Sequence, residues 1–326
     1  MPSSMFHPHH DSAVLVTGGA GFIGSHLVER LLQDGKCVVV VDDFSTGSLN
    51  NLRRIRKNSR LKIVHCKISE CKELPKLMAR AEFIFHLAAT VGVELVVKSA
   101  LRVLESSFRE TEILLRAAVK NSTPLLLAST SEVYGKSAKT EFGENDDLLI
   151  GPPNQSRWSY ACSKLTDEFL ALACAREKNL PVIIARLFNT VGPRQTGRFG
   201  MVLPRFIAAA RRNRPLKVFG DGRQTRCFCL VHDAVEALVR LEKCRDARGE
   251  IINIGGTEEI SILELAKLVV ETLGSKSRIE LVPYDQAYAP GFDDMRRRKP
   301  LVDKLERLVK FKPQTPLCEI IRLAAK

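Results

Sequence analysis

AVLVTGGAGFIGSH, residues 13–26, joins a strand-like run, a glycine-rich turn and the start of a helix. The apolar, largely β-branched run Ala13–Thr17 predicts a short buried strand. Gly18, Gly21 and Gly24 follow at three-residue spacing, and the apolar residues of Phe22–Leu32 repeat with the period of a helix. A strand, a glycine turn and a helix in this order predict the phosphate-binding turn of a dinucleotide site.

Each part of this stretch has a physical role in such a site. Gly18 would allow the tight turn, Gly21 the close approach of the backbone to a pyrophosphate, and Gly24 the packing of the helix on the strand. The helix N-terminus favours the negative charge of the phosphates. A second predicted strand, Cys37–Val41, ends at Asp42, where an acid can bind the ribose hydroxyls. Because Asp42 would repel a 2′-phosphate, we predict NAD rather than NADP.

The composition is typical of a globular protein, with 45% hydrophobic and 27% charged residues. No apolar run reaches the roughly 20 residues of a membrane span, so we expect no membrane association. Residues 1–11 lack the apolar core of a signal peptide, and we expect a disordered tail and a cytoplasmic protein. The nine cysteines contain no C-x-x-C pair, which predicts reduced thiols, and we predict no metal site.

The chain is basic, with a formal net charge of +13. A basic chain can bind nucleic acid, but here the lysines and arginines are dispersed and few aromatic residues accompany them. An anionic small ligand explains the charge with fewer assumptions. We therefore predict a small-molecule substrate and no nucleic-acid partner.

Strand-like and helical segments alternate along the chain, which predicts an α/β fold with a Rossmann-type, doubly wound parallel sheet. Residues 1–188 are predicted to form the NAD-binding domain, and residues 189–326 mainly a smaller α/β substrate domain. The two are interleaved, because Ile251–Ile254 is expected to return to the first sheet. Further strands are predicted at 61–65, 83–87, 125–128, 182–187, 216–219, 227–230 and 279–282. Helices are predicted at 75–80, 100–121, 160–178, 203–212, 232–244 and 262–273.

Two segments carry candidate catalytic groups. The predicted strand Leu125–Ala128 is followed by STSEVYG, residues 129–135, and a later predicted helix contains Tyr160 and Lys164. These two residues are one turn apart and share a face. A lysine ammonium and a bound nicotinamide cation would both favour phenolate and lower the pKa of Tyr160. Tyr160 is therefore a candidate general base toward a substrate hydroxyl, with Thr130 or Ser131 sharing the hydrogen bond.

The glycine fingerprint, STSEVYG and Y-x-x-x-K together resemble the extended short-chain dehydrogenase/reductase family of nucleotide-sugar epimerases, dehydratases and decarboxylases. The similarity covers nearly the whole chain and includes HLAA at 86–89, ARLFNTVGPR at 185–194, VFGDGRQTRCF at 218–228 and RRRKP at 296–300. The resemblance implies NAD as cofactor and a UDP-sugar as substrate. It also implies a homodimer formed through the helices at 100–121 and 160–178.

The resemblance also implies which residues bind each ligand. The cofactor would contact Gly18, Gly21, Phe22, Ile23, Gly24, Asp42, Asp43, Ile68, Leu87, Ala88, Ala89, Tyr160 and Lys164. The substrate would contact Asn189, Lys217, Arg226, Phe292 and Arg298. Guanidinium groups suit the diphosphate because they can bind phosphate with two parallel hydrogen bonds.

The residues after Thr130 distinguish the reactions within the family. The 4,6-dehydratases usually carry an Asp-Glu pair there, whereas this chain has Ser131-Glu132, which is similar to the UDP-glucuronate decarboxylases. The resemblance then implies Tyr160, Lys164, Thr130, Ser131 and Glu132 as the catalytic set, with Arg298 assisting. The leading expectation is decarboxylation of UDP-glucuronate through a 4-keto sugar. The alternatives are a UDP-hexose or UDP-uronate 4-epimerase and a catalytically inactive relative that binds NAD or a nucleotide sugar.

Several positions depart from the family pattern, among them two stretches near the expected cofactor. An acid that commonly contacts the adenine would lie within Cys66–Ser69, where this chain has no Asp. Ser106-Ser107 replaces a commoner Thr-Asn pair in the helix under the nicotinamide. Both departures concern cofactor binding rather than the fold.

Overall fold

The computed structural model describes residues 12–89, 100–197, 201–283 and 295–326. Its strands are β1 (Ala13–Thr17), β2 (Val38–Asp42), β3 (Leu61–His65), β4 (Ala81–His86), β5 (Leu125–Thr130), β6 (Val182–Leu187), β7 (Thr190–Val191), β8 (Leu216–Phe219), β9 (Thr225–Cys227), β10 (Cys229–Leu230), β11 (Ile251–Ile254), β12 (Glu259–Ser261) and β13 (Ile279–Val282). Its helices are α1 (Phe22–Gln33), α2 (Leu74–Met78), α3 (Ala100–Asn121), α4 (Trp158–Lys178), α5 (Val202–Ala210), α6 (Val231–Lys243), α7 (Ile262–Thr272), α8 (Asp303–Val309) and α9 (Leu317–Ala324).

A seven-stranded sheet forms the centre of the molecule, with the strand order β11-β6-β5-β4-β1-β2-β3. Every neighbouring pair in this sheet is parallel. The chain winds from β1 toward β3 on one side and from β4 toward β11 on the other. The predicted doubly wound, Rossmann-type α/β fold is therefore confirmed.

The two faces of the sheet bury alternate residues of the same strands, as the period of two in a β-strand requires. Val14 and Val16 of β1 pack into one apolar core, which α1 and α6 cover with residues such as Leu27 and Leu238. Leu15 of β1 packs into the opposite core, against α2, α3 and α4. Because both faces are buried, the strands read as continuous apolar runs.

The C-terminal part of the chain packs beyond the carboxyl edge of this sheet. Among the described residues it forms three two-stranded sheets, β10-β7, β12-β9 and β13-β8. A separate apolar core joins β8 to α5, α7 and α9 through residues that include Val218, Phe206, Leu265 and Ile321. Strand β11, although it follows these elements in the chain, pairs with β6 of the large sheet.

The structure corrects several predicted boundaries. The run 227–230, predicted as one strand, is two: β9 pairs antiparallel with β12, and β10 pairs parallel with β7. Both halves are buried, so the pattern of apolar residues does not reveal the change of partner at Phe228. Helix α2 ends at Met78, two residues before the predicted end, because the chain turns there into β4. Helix α4 begins at Trp158, two residues earlier than predicted.

The carboxyl ends of the parallel strands face the C-terminal part, and β1 and β4 are the neighbours from which the chain winds in opposite directions. Ligands of open α/β sheets bind at this switch point. Across the described ranges, no helix is both long enough and apolar enough to cross a membrane.

Asn253 connects the large sheet to the segments that cover its end. Its side chain is fully buried, and its Nδ2 donates to the carbonyl oxygens of Phe142, at 2.9 Å, and Leu301, at 3.3 Å. The hydroxyl of Tyr134 donates to its Oδ1 at 2.7 Å. One amide therefore forms hydrogen bonds to three separate segments.

We expect Asn253→Ala to lower the free energy of unfolding by about 2 kcal/mol, because the Tyr134 hydroxyl and two carbonyls would each lose one hydrogen bond. Chemical denaturation monitored by circular dichroism measures the change. Asn121→Ala is the matched control, since the Asn121 amide is exposed and makes one local bond to the carbonyl of Ala117. Equal stability of the two variants would show that Asn253 does not hold these segments together.

Candidate functional site

A large cavity of about 780 Å³ runs along the carboxyl edge of the sheet, at the switch point between β1 and β4. One wall comes from the turns that follow β1, β2, β3, β4 and β5. The opposite wall comes from the C-terminal part, including α5, β8 and β9. The cavity volume lies at the upper end of the range of small-molecule and cofactor sites.

At the glycine turn, backbone segments approach each other too closely to accommodate side chains, while the cavity beside the turn stays open. Gly18 has a φ of +69°, and an added Cβ would come 2.7 Å from the backbone nitrogen of Ala88. At Gly21 the nearest atom to an added Cβ is the carbonyl oxygen of Gly18 at 3.1 Å, and the residue lines the cavity. Gly21 is also the N-cap of α1 and, having no side chain, leaves the first N–H groups of the helix without a side-chain cap. The turn thus has the geometry of a cradle in which phosphate groups can bind.

Asp42 ends β2 beside this turn and is largely buried. Its carboxylate accepts the N–H of Ala20 and the N–H of Phe44, each at 2.8 Å. Burial raises the pKa of Asp42, and these two backbone hydrogen bonds oppose the rise. Asp43 follows, and its Oδ1 accepts the N–H of Ser45 at 2.9 Å. Both acids line the cavity, where carboxylate oxygens can accept ribose hydroxyls.

The remaining predicted cofactor residues that surround this end of the cavity are apolar. Phe22, Ile23 and Gly24 begin α1, Ile68 lies in a 3-10 turn after β3, and Leu87, Ala88 and Ala89 follow β4; all line the cavity. A phosphate cradle, two carboxylates at the end of β2 and an apolar wall are the parts that a dinucleotide requires. The residues present therefore fit NAD.

Tyr160 and Thr130 meet at the middle of the cavity, where α4 passes the end of β5. Their side chains are hydrogen-bonded to each other. The pKa of Tyr160 in the chain alone is raised, chiefly by burial and then by the carboxylates of Glu132 and Asp167, while the hydrogen bond with Thr130 opposes the rise. The chain's own charges therefore do not produce the predicted lowering of this pKa.

Lys164 is fully buried and forms an ion pair that the sequence analysis did not predict. Its Nζ lies 3.0 Å from Oδ2 of Asp167, and the two side chains are 2% and 0% exposed. The same oxygen accepts the hydroxyl of Ser107 from α3 at 3.0 Å. Lys164 does not belong to the cavity wall, so its contact with the cofactor stays a prediction.

Glu132 lies between two arginines on the cavity wall. Arg298 donates through Nη1 to its Oε1 at 3.0 Å, and Nη2 of Arg157 is 3.9 Å from its Oε2. Burial raises the pKa of Glu132, but the charges of Arg298, Arg157 and Arg226 outweigh it and hold the pKa below its usual range. Glu132 is therefore an ionised carboxylate. Ser131 beside it is buried and also lines the cavity.

Four of the five predicted substrate residues line this cavity. Asn189, in a backbone conformation with φ of +21°, donates through Nδ2 to the carbonyl of Cys227 at 2.9 Å. Lys217 extends from β8 and Arg226 from β9, on the wall formed by the C-terminal part. Arg298 reaches the cavity beside Glu132. Phe292 lies outside the described residues.

Three charged residues near the site were not predicted. Arg157 is the N-cap of α4 and lies three residues before Tyr160, while Asp167 lies three residues after Lys164. Because each lies about one helical turn from Tyr160 or Lys164, the spacing alone could have identified both as candidate site residues. Glu110 of α3 contacts Ser69, which lies more than forty residues earlier in the chain, and no local pattern indicates this contact.

Comparison with known proteins agrees with this geometry. The sequence model of the NAD dependent epimerase/dehydratase family matches residues 14–255. The UDP-N-acetyl-alpha-D-glucosaminuronate decarboxylase of Bacillus cytotoxicus is 42% identical over 300 residues, covering 92% of each chain. UDP-glucuronic acid decarboxylase 4 of Arabidopsis thaliana is 35% identical over 321 residues, which are 96% of this chain and 68% of that protein.

Among solved structures, the UDP-glucuronic acid 4-epimerase of Bacillus cereus, in complex with UDP-glucuronic acid and NAD, superimposes with a TM-score of 0.86. Its sequence is 29% identical, and the match covers 96% of this chain and 98% of that one. Sequence, fold and the cofactor cradle therefore agree with the predicted resemblance. The chain belongs to the NAD-dependent epimerase/dehydratase family of enzymes.

Proposed function

We propose that the protein decarboxylates a UDP-linked uronic acid through a 4-keto sugar. The observation that carries the proposal is the ionised Glu132, held by Arg298 and Arg157 within two residues of Thr130. Thr130 in turn is hydrogen-bonded to Tyr160. A base for a sugar hydroxyl thus stands next to a cluster of charges suited to a neighbouring carboxylate.

The chemistry follows from the positions of these groups. Tyr160 removes the proton of the C4 hydroxyl, with Thr130 sharing the hydrogen bond, and NAD supplies the hydride acceptor when it is bound. The C5 carboxylate is then β to a ketone. The bond between C5 and the carboxylate breaks, carbon dioxide leaves, and the electron pair enters an enolate at C4 and C5. The hydroxyl groups of Thr130, Ser131 and Tyr160 stabilise the negative oxygen. C5 takes up a proton from a water molecule that the ionised Glu132 orients, and the water leaves as hydroxide.

The arrangement of cations supports an anionic substrate. Three arginines, Arg157, Arg226 and Arg298, line the cavity around Glu132, and their charges lower the pKa of its carboxyl group. The same positive environment suits an anionic substrate group. Lys217, Arg226 and Asn189 on the opposite wall suit the diphosphate and sugar. Two uronates are candidates, because one relative is named for the glucuronate and another for its N-acetylated amino sugar.

The direct test is mass spectrometry of the protein incubated with NAD and either UDP-glucuronate or UDP-N-acetylglucosaminuronate. We expect one of them to lose the mass of carbon dioxide. Tyr160→Phe should retain NAD binding and lose nearly all turnover, about a thousandfold or more, because the base is removed. Retention of most of the wild-type rate by Tyr160→Phe would exclude Tyr160 as the base.

Glu132→Gln separates the two chemical steps. We expect it to slow the release of carbon dioxide by at least tenfold more than the oxidation at C4, measured as absorbance of the reduced nicotinamide, because Glu132 acts at C5. Glu141→Gln is the matched control, since Glu141 pairs with Lys299 and does not line the cavity. Equal losses in both steps would contradict the role assigned to Glu132.

A 4-epimerase is the second candidate, supported by the fold match to the Bacillus cereus enzyme. It needs the same tyrosine and NAD, but the 4-keto sugar rotates within the site and is then reduced on its opposite face. An unchanged substrate mass with a new C4 epimer, resolved by chromatography, would favour this activity. Binding of NAD and both UDP-sugars without any product would instead indicate a catalytically inactive relative.

We further propose a homodimer built on α3 and α4. Large apolar side chains are exposed on both helices: Leu101 is 70% exposed and Phe108 is 42% exposed on α3, and Phe169 is 63% exposed on α4. The two helices pack side by side, and we infer that these exposed residues contribute to one surface. Apolar patches of this kind mark association sites, and a second copy would cover them.

Phe169→Glu should convert the dimer to a monomer, because a buried carboxylate without a partner opposes association. Light scattering coupled to size-exclusion chromatography measures the molecular mass. Leu281→Glu is the control, since Leu281 is 58% exposed on β13, an element outside this surface. A wild-type protein that already elutes as a monomer would contradict the proposed interface.

A cytoplasmic location completes the proposal. None of the nine cysteines forms a disulfide. Such thiol-rich chains are typical of reducing compartments, which supports this location.

A further inference from the structure

The adenine end of the cavity lacks the acid that the family pattern places there. The 3-10 turn after β3 lines the cavity, but Cys66 and Lys67 precede it where an acid is expected. Burial, with a smaller effect of Cys71, raises the pKa of Cys66 to about 12, so its thiol is neutral. Lys67 is a cation and pairs with Glu70 at 3.1 Å. Neither residue can accept a hydrogen bond as a carboxylate does.

Glu110 brings a carboxylate to this turn from a different element. It projects from α3, lines the cavity and is partly buried. Its Oε2 accepts the backbone N–H of Ser69 at 2.9 Å, and its Oε1 accepts the hydroxyl of the same residue. Two hydrogen bonds from one partner fix the orientation of the carboxylate against the turn.

The fixed carboxylate matches one group of the cofactor. The exocyclic amino group of adenine is a donor, and each carboxylate oxygen keeps a lone pair for a further hydrogen bond. A hydrogen bond to an ionised acceptor is stronger than one between neutral groups. Ile68, one residue before Ser69, belongs to the predicted cofactor set and lines the same part of the cavity.

We propose that Glu110, oriented by Ser69, is the hydrogen-bond acceptor for the 6-amino group of the NAD adenine and takes the place of the missing acid. This role makes Glu110 a specificity-determining residue for the base of the dinucleotide. The inference rests on NAD binding and not on the reaction at the sugar.

Nicotinamide hypoxanthine dinucleotide tests the proposal, because it has a carbonyl oxygen where NAD has the 6-amino group. Calorimetric titration gives the dissociation constant of each dinucleotide. The wild-type protein should bind NAD about tenfold more tightly, which corresponds to one charge-assisted hydrogen bond. In Glu110→Gln the ratio should fall to about one or below, because the amide offers a donor as well as an acceptor.

Two further variants separate Glu110 from its neighbours. Glu70→Gln keeps the ratio of the wild type, although Glu70 lines the same cavity and lies only one residue after Ser69. Ser69→Ala should reduce the ratio by less than Glu110→Gln does, because the carboxylate remains but loses one of its two donors. A ratio unchanged in Glu110→Gln, or one that collapses in Glu70→Gln instead, would overturn the assignment.

The outcome is distinct from that of the proposed reaction. A wild-type protein that discriminates between the dinucleotides yet releases no carbon dioxide would uphold Glu110 and reject the decarboxylation. A wild-type protein that binds both dinucleotides equally would overturn the role of Glu110 whatever the reaction is.

Discussion

The site depends on one steric constraint, the close approach of the first glycine turn to the end of β4. A side chain at Gly18 would come 2.7 Å from the backbone of Ala88, so only glycine lets β1, α1 and the segment after β4 meet. Asp42 fixes the same turn from the other side by accepting the N–H of Ala20. The N-terminus of α1 is thereby aimed into the cavity, and the ends of β4 and β5 are brought within reach of the same ligand.

The second organising feature is the way in which buried charges are paired. Lys164 is satisfied by Asp167, and Arg186 of β6 forms a buried ion pair with Glu168, 2.7 Å apart. These pairs satisfy charges that would otherwise be costly in the interior. They also influence the chemistry, because Asp167 raises the pKa of Tyr160 and so opposes the effect expected of Lys164. In the chain alone, the pair of Lys164 with Asp167 therefore does not lower the pKa of Tyr160.

Local patterns predicted the fold and the strand–turn–helix geometry of the glycine turn. The strand Ala13–Thr17, the glycines and the acid at the end of β2 all lie within thirty residues, and their geometry follows from backbone rules. Tyr160 and Thr130 were predicted together because a hydroxyl-rich strand end is followed by a helix that carries the Tyr160–Lys164 pair. The partners that come from distant segments could not be predicted in this way. Glu110 on Ser69 and Asn253 on Tyr134 depend on how helices and loops pack, and nothing in the local sequence specifies that packing.

The placement of β11 has a consequence for how the chain is made. Strand β6 is complete at Leu187, but its outer edge stays unpaired until Ile251–Ile254 has been synthesised. During translation the N-terminal segment therefore emerges from the ribosome as an incomplete sheet with an open edge, which is a template for association with other chains. Strand β11 lies between β10 and β12 in the chain, so its pairing with β6 also joins the C-terminal part to the large sheet. The two parts of the chain are thus coupled through the pairing of β11 with β6, and neither part carries a complete large sheet by itself.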